Sequence, residues 1–112
     1  MKFRIYVAGP ISKGKAWPVN LRDGIDAGHQ LWKHGLFPYI PHLNFLWEFA
    51  YPEICNLETM LEIDLAFLEV CDALLRLPGE SAGADREEAF AVEHGIPVYY
   101  SIEALLKDME EL

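Results

Sequence analysis

Residues 72–88, which read DALLRLPGESAGADREE, contain the change of structure that decides the fold. The apolar run at residues 72–77 is typical of a buried parallel strand, and Pro78-Gly79 predicts a turn directly after it. An alanine-rich helical pattern follows and ends at Gly95, a residue type that commonly terminates helices. A strand that hands over to a helix in this way is typical of α/β folds with a parallel sheet.

The rest of the chain repeats this alternation. We expect strands at residues 3–8, 36–40, 72–77 and 96–100, and helices at residues 18–34 and 56–71, before His94 and after Ser101. The alternation predicts one α/β domain over residues 1–112, a Rossmann-like or flavodoxin-like three-layer sandwich with strand order 2-1-3-4. In that order the carboxyl ends of the first and third strands flank a crevice, which is where open α/β sheets bind ligands.

The composition excludes several classes of function. The formal net charge of -9 argues against a nucleic-acid polymer as partner, because a phosphate backbone needs basic patches. No run approaches the ~18 apolar residues of a membrane helix, and the first residues show no signal-peptide pattern. Cys55 and Cys71 lack the spacing of a metal site or a disulfide framework. We therefore expect a cytoplasmic domain that acts on a small molecule, without a membrane, a metal ion or a cofactor.

The loop after the first strand, residues 9–16 (GPISKGKA), fits the P-loop pattern G-x-x-x-x-G-K but not its last position. A P-loop continues with a Ser or Thr whose hydroxyl holds magnesium, and this chain has Ala16 there. Trp17-Pro18 then delays the helix, so the loop amides would not run smoothly into a helix N-terminus. The loop is either a glycine-bearing segment that touches a phosphate or sugar, or a plain solvated connection.

The segment at residues 42–55 is longer and more aromatic than an ordinary connecting loop. Aromatic side chains alternate along them: Phe45, Trp47, Phe49 and Tyr51. This spacing predicts an extended segment with a row of rings on one face. Three interpretations stay open, namely a wall that stacks on a nucleobase, a dimer contact, and local packing over the sheet. His42, just past the second strand, is a candidate substrate contact.

Asp64 interrupts the apolar stripe of the helix at residues 56–71. A carboxylate on such a face costs free energy unless it is paired or hydrogen-bonded. Asp64 is therefore either a structural anchor or a functional acid with a raised pKa.

The acidic start of the helix after the third strand also has two interpretations. Asp85 would be its N-cap with Glu88 three residues later, or Ser81 would cap an earlier start. Capping explains the acidic residues but not why Ser81 and Gly83 precede them. The alternative is a ligand-binding helix start at the edge of the sheet.

Three pieces in register resemble the nucleoside 2-deoxyribosyltransferase superfamily, and their order covers nearly the whole chain. They are residues 5–12 (IYVAGPIS), Asp64 within residues 62–73 (EIDLAFLEVCDA), and Ser81-x-Gly83-x-x-x-Glu87. The resemblance implies a Rossmann-like domain of that type, and cleavage or transfer at an N-glycosidic bond.

The resemblance also implies a role for each matching residue. Glu87 would attack the anomeric carbon of the sugar, Asp64 would handle the proton on the departing base, and Tyr6 would orient the glutamate by a hydrogen bond. Two carboxylates about 5 Å apart serve such a double displacement, one of them ionised and one able to carry a proton. The implied substrate-binding residues are Gly9, Pro10, Ile11, Ser12, His42, Ser81 and Gly83.

Ser81 bears on the substrate. Members of the superfamily that act on free nucleosides tend to place an acidic residue there, whereas the 2-deoxynucleoside 5-monophosphate hydrolases place a serine that contacts the phosphate. The resemblance thus implies hydrolysis of a (deoxy)nucleoside 5-monophosphate. The alternatives are a nucleoside deoxyribosyltransferase, a non-catalytic nucleotide-binding or sensing module, and an interaction protein whose aromatic segment is a dimer face.

Two features depart from the family pattern. Asp85 stands where a second glycine is usual, and the chain is shorter than the transferases, without their long tail. We also expect a homodimer or higher homo-oligomer, with the aromatic segment as its candidate contact.

Overall fold

The computed structural model describes residues 2–110. The strands are β1 (Arg4–Ala8), β2 (Phe37–Tyr39), β3 (Ala73–Arg76) and β4 (Val98–Tyr99). The helices are α1 (Trp17–Lys33), α2 (Asn44–Ala50), α3 (Leu57–Leu68), α4 (Ala82–Glu93) and α5 (Ile102–Glu110). None of the helices among these residues is long and apolar enough to cross a membrane.

The four strands form one parallel sheet in the order β2-β1-β3-β4, which confirms the predicted fold and strand order. In the register of the sheet Tyr6 lies between Tyr39 on β2 and Leu74 on β3. Ala8 at the end of β1 pairs with Arg76 at the end of β3. The carboxyl ends of the two central strands therefore lie side by side.

Successive side chains of a strand point to opposite faces of the sheet. Both faces are apolar here, and helices cover both. One core contains Ile5 and Val7 of β1, Leu75 of β3, Leu31 of α1 and Leu105 of α5. The other contains Tyr6 and Ala8 of β1, Leu74 of β3, Leu68 of α3 and Ala91 of α4. The result is the three-layer sandwich that the alternation of elements predicts.

Two glycines of α1 let this helix pack closely on the chain that leaves β2. A Cβ atom at Gly28 would overlap the Ile40 side chain, and one at Gly24 would lie 2.6 Å from Cγ of His42. Real Cβ atoms do not approach other atoms so closely, so a larger residue at either position would displace its neighbour. The close packing places His42 beside the carboxyl ends of the strands.

The prediction of an extended aromatic segment is wrong. Residues 42–55 form a 3₁₀ turn at Pro41–Leu43, helix α2, and a second 3₁₀ turn at Pro52–Ile54. A helix satisfies its own backbone groups and needs no strand partner. Phe45 and Phe49, one turn apart, pack on Trp17 with ring centroids 5.2 and 5.1 Å away.

Candidate functional site

A cavity of about 300 Å³ opens at the carboxyl ends of β1 and β3. Its walls come from the β1–α1 loop, from α2, and from the first turns of α3 and α4. Eight of the ten predicted site residues line it: Gly9, Ile11, Ser12, His42, Asp64, Ser81, Gly83 and Glu87. Tyr6 does not line the cavity but contacts Glu87, and Pro10 lines a neighbouring groove with Lys13 and Lys15.

Tyr6 and Glu87 form a buried hydrogen bond in which the Tyr6 hydroxyl donates to Oε2 of the carboxylate. The tyrosine is fully buried, and Glu87 is only 5% exposed. Glu87 belongs to the inner face of α4, between Ala84 and Ala91, because residues three and four apart share one side of a helix. The small neighbours leave room for the carboxyl to reach the sheet.

Asp64 is held by two side chains that the sequence did not single out. Its Oδ1 accepts hydrogen bonds from Nδ2 of Asn44, at 2.9 Å, and from the hydroxyl of Tyr39, at 3.3 Å. The Tyr39 ring in turn stacks between the rings of Tyr6 and Phe67. Tyr39 could have been found only from its position in the second strand. Asn44 could not have been found without knowing that residues 44–50 are helical.

Burial raises the pKa of both carboxyl groups, to about 8 for Glu87 and to about 6 for Asp64. The hydrogen bond from Tyr6 lowers the pKa of Glu87, and the charge of Asp64 raises it. Two hydrogen bonds, from Tyr39 and Asn44, lower the pKa of Asp64. The raised pKa of Asp64 agrees with the expectation from its apolar surroundings. Glu87, however, holds its proton more tightly than Asp64, because it is more deeply buried and accepts one hydrogen bond rather than two.

Glu48 on α2 is a third carboxylate of the cavity, and sequence reasoning missed it. Burial raises the pKa of Glu48, and the charge of Glu48 raises the pKa of Asp64. Glu48 lies four residues after Asn44, so the two share one face of α2. That relation is visible only if the segment is helical, and the extended interpretation separated them.

Two helices begin at the cavity, each with a side-chain cap. Ser81 Oγ accepts a hydrogen bond from the Ala84 amide at 3.1 Å, so α4 begins at Ser81 and the interpretation of Asp85 as its N-cap is wrong. Asn56 caps α3 by accepting from the amides of Glu58 and Thr59. Both caps line the cavity, which therefore faces the positive ends of two helix dipoles.

Asp85 and Glu88 belong to an ion-pair cluster on the other side of α4. Nη1 of Arg76 lies 2.8 Å from Oδ1 of Asp85 and 3.4 Å from Oε1 of Glu88. The Tyr100 hydroxyl donates to the other oxygen of Glu88 at 2.8 Å. The cluster corrects the assignment of Glu88 to capping, and it gives Asp85 a cationic partner.

His42 is buried at the wall of the cavity, 4% exposed. Its ring packs against Gly24 and lies near Gly9. Neither ring nitrogen has a hydrogen-bond partner among residues 2–110. Burial lowers the pKa of His42, which favours the neutral imidazole. A neutral ring in this position can offer one donor or one acceptor to a ligand.

No protein-family model matches the chain, and no curated protein matches it. Within the part of the chain that the structure describes, no group of three or more His, Cys, Asp or Glu residues could hold a metal ion.

Proposed function

We propose that this protein hydrolyses the N-glycosidic bond of a (deoxy)nucleoside 5-monophosphate, with Glu87 as the nucleophile. The observation that carries the proposal is a buried carboxylate that faces an open cavity, accepts a hydrogen bond from Tyr6, and shares the cavity with Asp64. Paired carboxyl groups of this kind serve glycosidic double displacement. The resemblance of residues 5–12, Asp64 and Ser81-x-Gly83-x-x-x-Glu87 to the nucleoside 2-deoxyribosyltransferase superfamily points to the same chemistry.

The reaction would proceed in two displacements. Tyr6 engages Oε2 of Glu87, which leaves Oε1 for the anomeric carbon of the sugar. A bond forms between Oε1 and that carbon while its bond to the base nitrogen breaks, and Asp64 gives its proton to the departing base. Water then attacks the same carbon and gives a proton back to Asp64, which releases Glu87 as a carboxylate.

The pKa values determine which molecules are ready to react. The first displacement needs Glu87 ionised and Asp64 protonated, whereas the pKa values of about 8 and about 6 favour the opposite arrangement. Only a small fraction of the molecules therefore holds the reactive arrangement at pH 7. That population is constant between the two pKa values and falls on either side. The activity should therefore be bell-shaped in pH, with breaks near pH 6 and pH 8.

Helix ends and hydroxyls support the phosphate group of the proposed substrate. The first turns of α3 and α4 line the cavity together with Ser12 and Ser81, and the N-termini of helices favour anions. A Cβ atom at Gly83 would meet Leu57 only at 3.6 Å, an ordinary contact distance. Protein packing therefore does not require glycine at this position, and the missing side chain leaves room for a ligand to approach the backbone closely.

A second candidate is hydrolysis of, or deoxyribosyl transfer from, an uncharged nucleoside. The cavity contains the three carboxylates of Glu48, Asp64 and Glu87, and none of its described lining residues is Lys or Arg. The nearby Arg86 is paired with Glu58, 2.5 Å away. A negative cavity accepts a neutral nucleoside at lower electrostatic cost than a phosphate dianion.

A chromatographic screen for base release tests both candidates. Deoxynucleoside monophosphates and the matching nucleosides would be incubated with the protein, each with and without a second free base. Faster base release from the monophosphates in water supports the proposal, and a new nucleoside formed only with a second base supports transfer. Binding without base release would indicate a sensing module. Base release at the wild-type rate by a Glu87→Ala variant would remove Glu87 from the mechanism.

We propose further that the chain forms a homodimer or higher homo-oligomer through α2. This helix buries none of its seven residues. Leu46, Trp47 and Phe49 are exposed by 50%, 42% and 58% respectively. Light scattering coupled to size exclusion should give an oligomer for the wild-type chain and a monomer for Trp47→Gln. A wild-type monomer at high concentration would leave the packing of Phe45 and Phe49 on Trp17 as the role of this segment.

We also propose that the protein acts in the cytoplasm. Cys55 and Cys71 are both free, and Cys55 is exposed beside the cavity. Free thiols are typical of a reducing compartment. Fractionation of cells that contain the tagged chain would test the location, and recovery in an oxidising compartment would contradict it.

A further inference from the structure

We propose that Arg76 is a positioning residue for Glu87, acting from the side of α4 that faces away from the cavity. Its guanidinium holds the β3–α4 connection and the first turns of α4, and its positive charge offsets the acidic residues that surround Glu87 on this helix. The proposal rests on the proposed function in one respect, that Glu87 is the reacting group.

The geometry of Arg76 is that of a clamp. The side chain lies at the end of β3 and is 11% exposed. Its Nε donates to the carbonyl of Leu77 at 3.1 Å, and its Nη2 donates to the carbonyl of Gly79 at 2.9 Å. Its Nη1 donates to Asp85 and to Glu88. One group therefore connects the turn before α4 to the first two turns of the helix.

The clamp acts on the segment that delivers Glu87 to the cavity. Glu87 lies between the two ion-paired residues in sequence, one position before Glu88 and two after Asp85. Any rotation of the first turns of α4 that broke either ion pair would also move Glu87 relative to Tyr6. Arg76 does not line the cavity, so it touches no substrate and is not a catalytic residue.

The charges around Glu87 give Arg76 a second effect. The groups that act on the Glu87 carboxyl are Tyr6 on β1, Tyr39 on β2, Arg76 on β3 and Asp64 on α3. Arg76 is the cation of this set, and its charge lowers the pKa of Glu87. Without Arg76, the carboxylates of Asp85 and Glu88 would lose their partner and add their own repulsion.

An experiment on the pKa of Glu87 in the free protein separates this role from ordinary structural support. The carboxyl carbon of Glu87 is followed by NMR through a pH titration, and its signal is assigned by its absence in Glu87→Gln. We expect Arg76→Gln to raise the pKa of Glu87 by about 1, as the loss of a nearby opposite charge does. Arg76→Lys keeps the charge without the planar fork, so we expect a pKa within about 0.3 of the wild-type value.

A variant with both carboxylates removed, Asp85→Asn with Glu88→Gln, tests the same idea in the opposite direction. Arg76 is then no longer neutralised, and the pKa of Glu87 should fall. Both replaced residues are at the surface side of α4, so this variant tests the proposal even where Arg76→Gln fails to fold. An unchanged pKa in this double variant, or in folded Arg76→Gln, would overturn the proposal.

The titration needs no substrate, so the two proposals can fail separately. If the pKa moves as expected but no nucleotide or nucleoside loses its base, the proposed function fails and the effect of Arg76 stands. If bases are released but the pKa of Glu87 is insensitive to these variants, the proposed function stands and the role of Arg76 fails. Where both hold, the pH profile of base release moves together with the NMR value.

Discussion

The two sides of α4 treat acidic residues in opposite ways. On the outer side, Asp85 and Glu88 share one guanidinium and remain partly exposed. On the inner side, Glu87 is buried with a tyrosine hydroxyl as its hydrogen-bond donor and with a second carboxylate in the same cavity. A cation stabilises the charged form of an acid, whereas burial beside another acid favours the protonated form. Three neighbouring acids thus divide into a structural pair and one group with a strongly raised pKa.

The outer side of α4 is expected to support the structure, and the inner side is expected to carry the reaction. The ion pairs of Asp85 and Glu88 with Arg76 hold the start of α4 and lie outside the cavity. A buried carboxyl with few hydrogen bonds is unfavourable for folding, and such groups are concentrated at functional sites. Each of the following changes tests whether the inner side carries the chemistry and the outer side carries support.

The largest effect is expected from Glu87→Gln. The amide keeps the shape of the side chain but cannot act as a nucleophile, so base release should fall by at least about 10³-fold. Glu88→Gln is the matched control one position along the same helix, and its rate should stay within about threefold of wild type because Glu88 lies outside the cavity. Rates would be measured by chromatography at saturating substrate. Equal losses in the two variants would end the distinction between the two sides.

Asp64→Asn should have the next largest effect, a loss of about 10²-fold or more for a base that needs protonation to leave. The shape of the pH profile is the sharper readout. Without a proton to lose at this position, the activity should rise until Glu87 is ionised and then stay level. The rise should end below pH 8, because the charge of Asp64 no longer raises the pKa of Glu87. A profile that still falls above pH 8 would show that another group supplies the proton. Glu48→Gln in the same cavity is the matched control.

Tyr6→Phe should produce a smaller loss, about tenfold at pH 7, because it removes one hydrogen bond to the reacting carboxylate. That hydrogen bond lowers the pKa of Glu87, so its loss should move the upper break of the profile to higher pH. Tyr39→Phe removes the corresponding bond to Asp64 and should move the lower break upward instead. Profiles that changed in the same way for both variants would mean that the tyrosines support only the packing of the two rings.

A further effect concerns the free energy of unfolding rather than the rate. The pKa of Glu87 is about 8 in the folded chain, against 4.5 as its ordinary value, so the folded state binds more protons between these values. The contribution of Glu87 to the free energy of unfolding is therefore complete below about pH 4.5 and is lost as the pH rises through 8. In urea denaturation, the free energy of unfolding should fall less between pH 5 and pH 8 for Glu87→Gln than for wild type. For comparison, the free energy of unfolding of Glu88→Gln should fall between these pH values as much as that of wild type.

Much of the fold could be predicted because it depends on local patterns. Short apolar runs, helix stripes and terminating glycines such as Gly35 and Gly95 mark the elements, and their alternation restricts the sheet to a few orders. The prediction of an extended chain at residues 42–55 was wrong because aromatic residues at every second position also occur in helices. No sequence pattern states whether a strand partner will be present, and here the edge of the sheet is β2, which α2 does not join.

The candidate site was predictable where a residue contradicted its surroundings. Asp64 stood out because a carboxylate interrupted an apolar stripe, and Glu87 because small residues and a serine preceded it at the end of a strand. Asn44 and Glu48 carried no such signal, because both are ordinary polar residues in a segment of mistaken structure. The ion pairs of Asp85 and Glu88 were not predicted for a related reason: their partner, Arg76, is adjacent only after α4 folds back over β3.

The sequence by itself determined the order of elements, the edge of the sheet at which open α/β folds bind ligands, and the unusual position of Asp64 on an apolar stripe. Those conclusions follow from periodicity and from the cost of burying charge, which any short segment displays. Only the tertiary structure decided which acid is neutralised and which is not. Burial and the distance to a cation are properties of residues far apart in the chain, so Glu87, Asp85 and Glu88 become different only when the sheet brings Tyr6 and Arg76 to opposite sides of one helix.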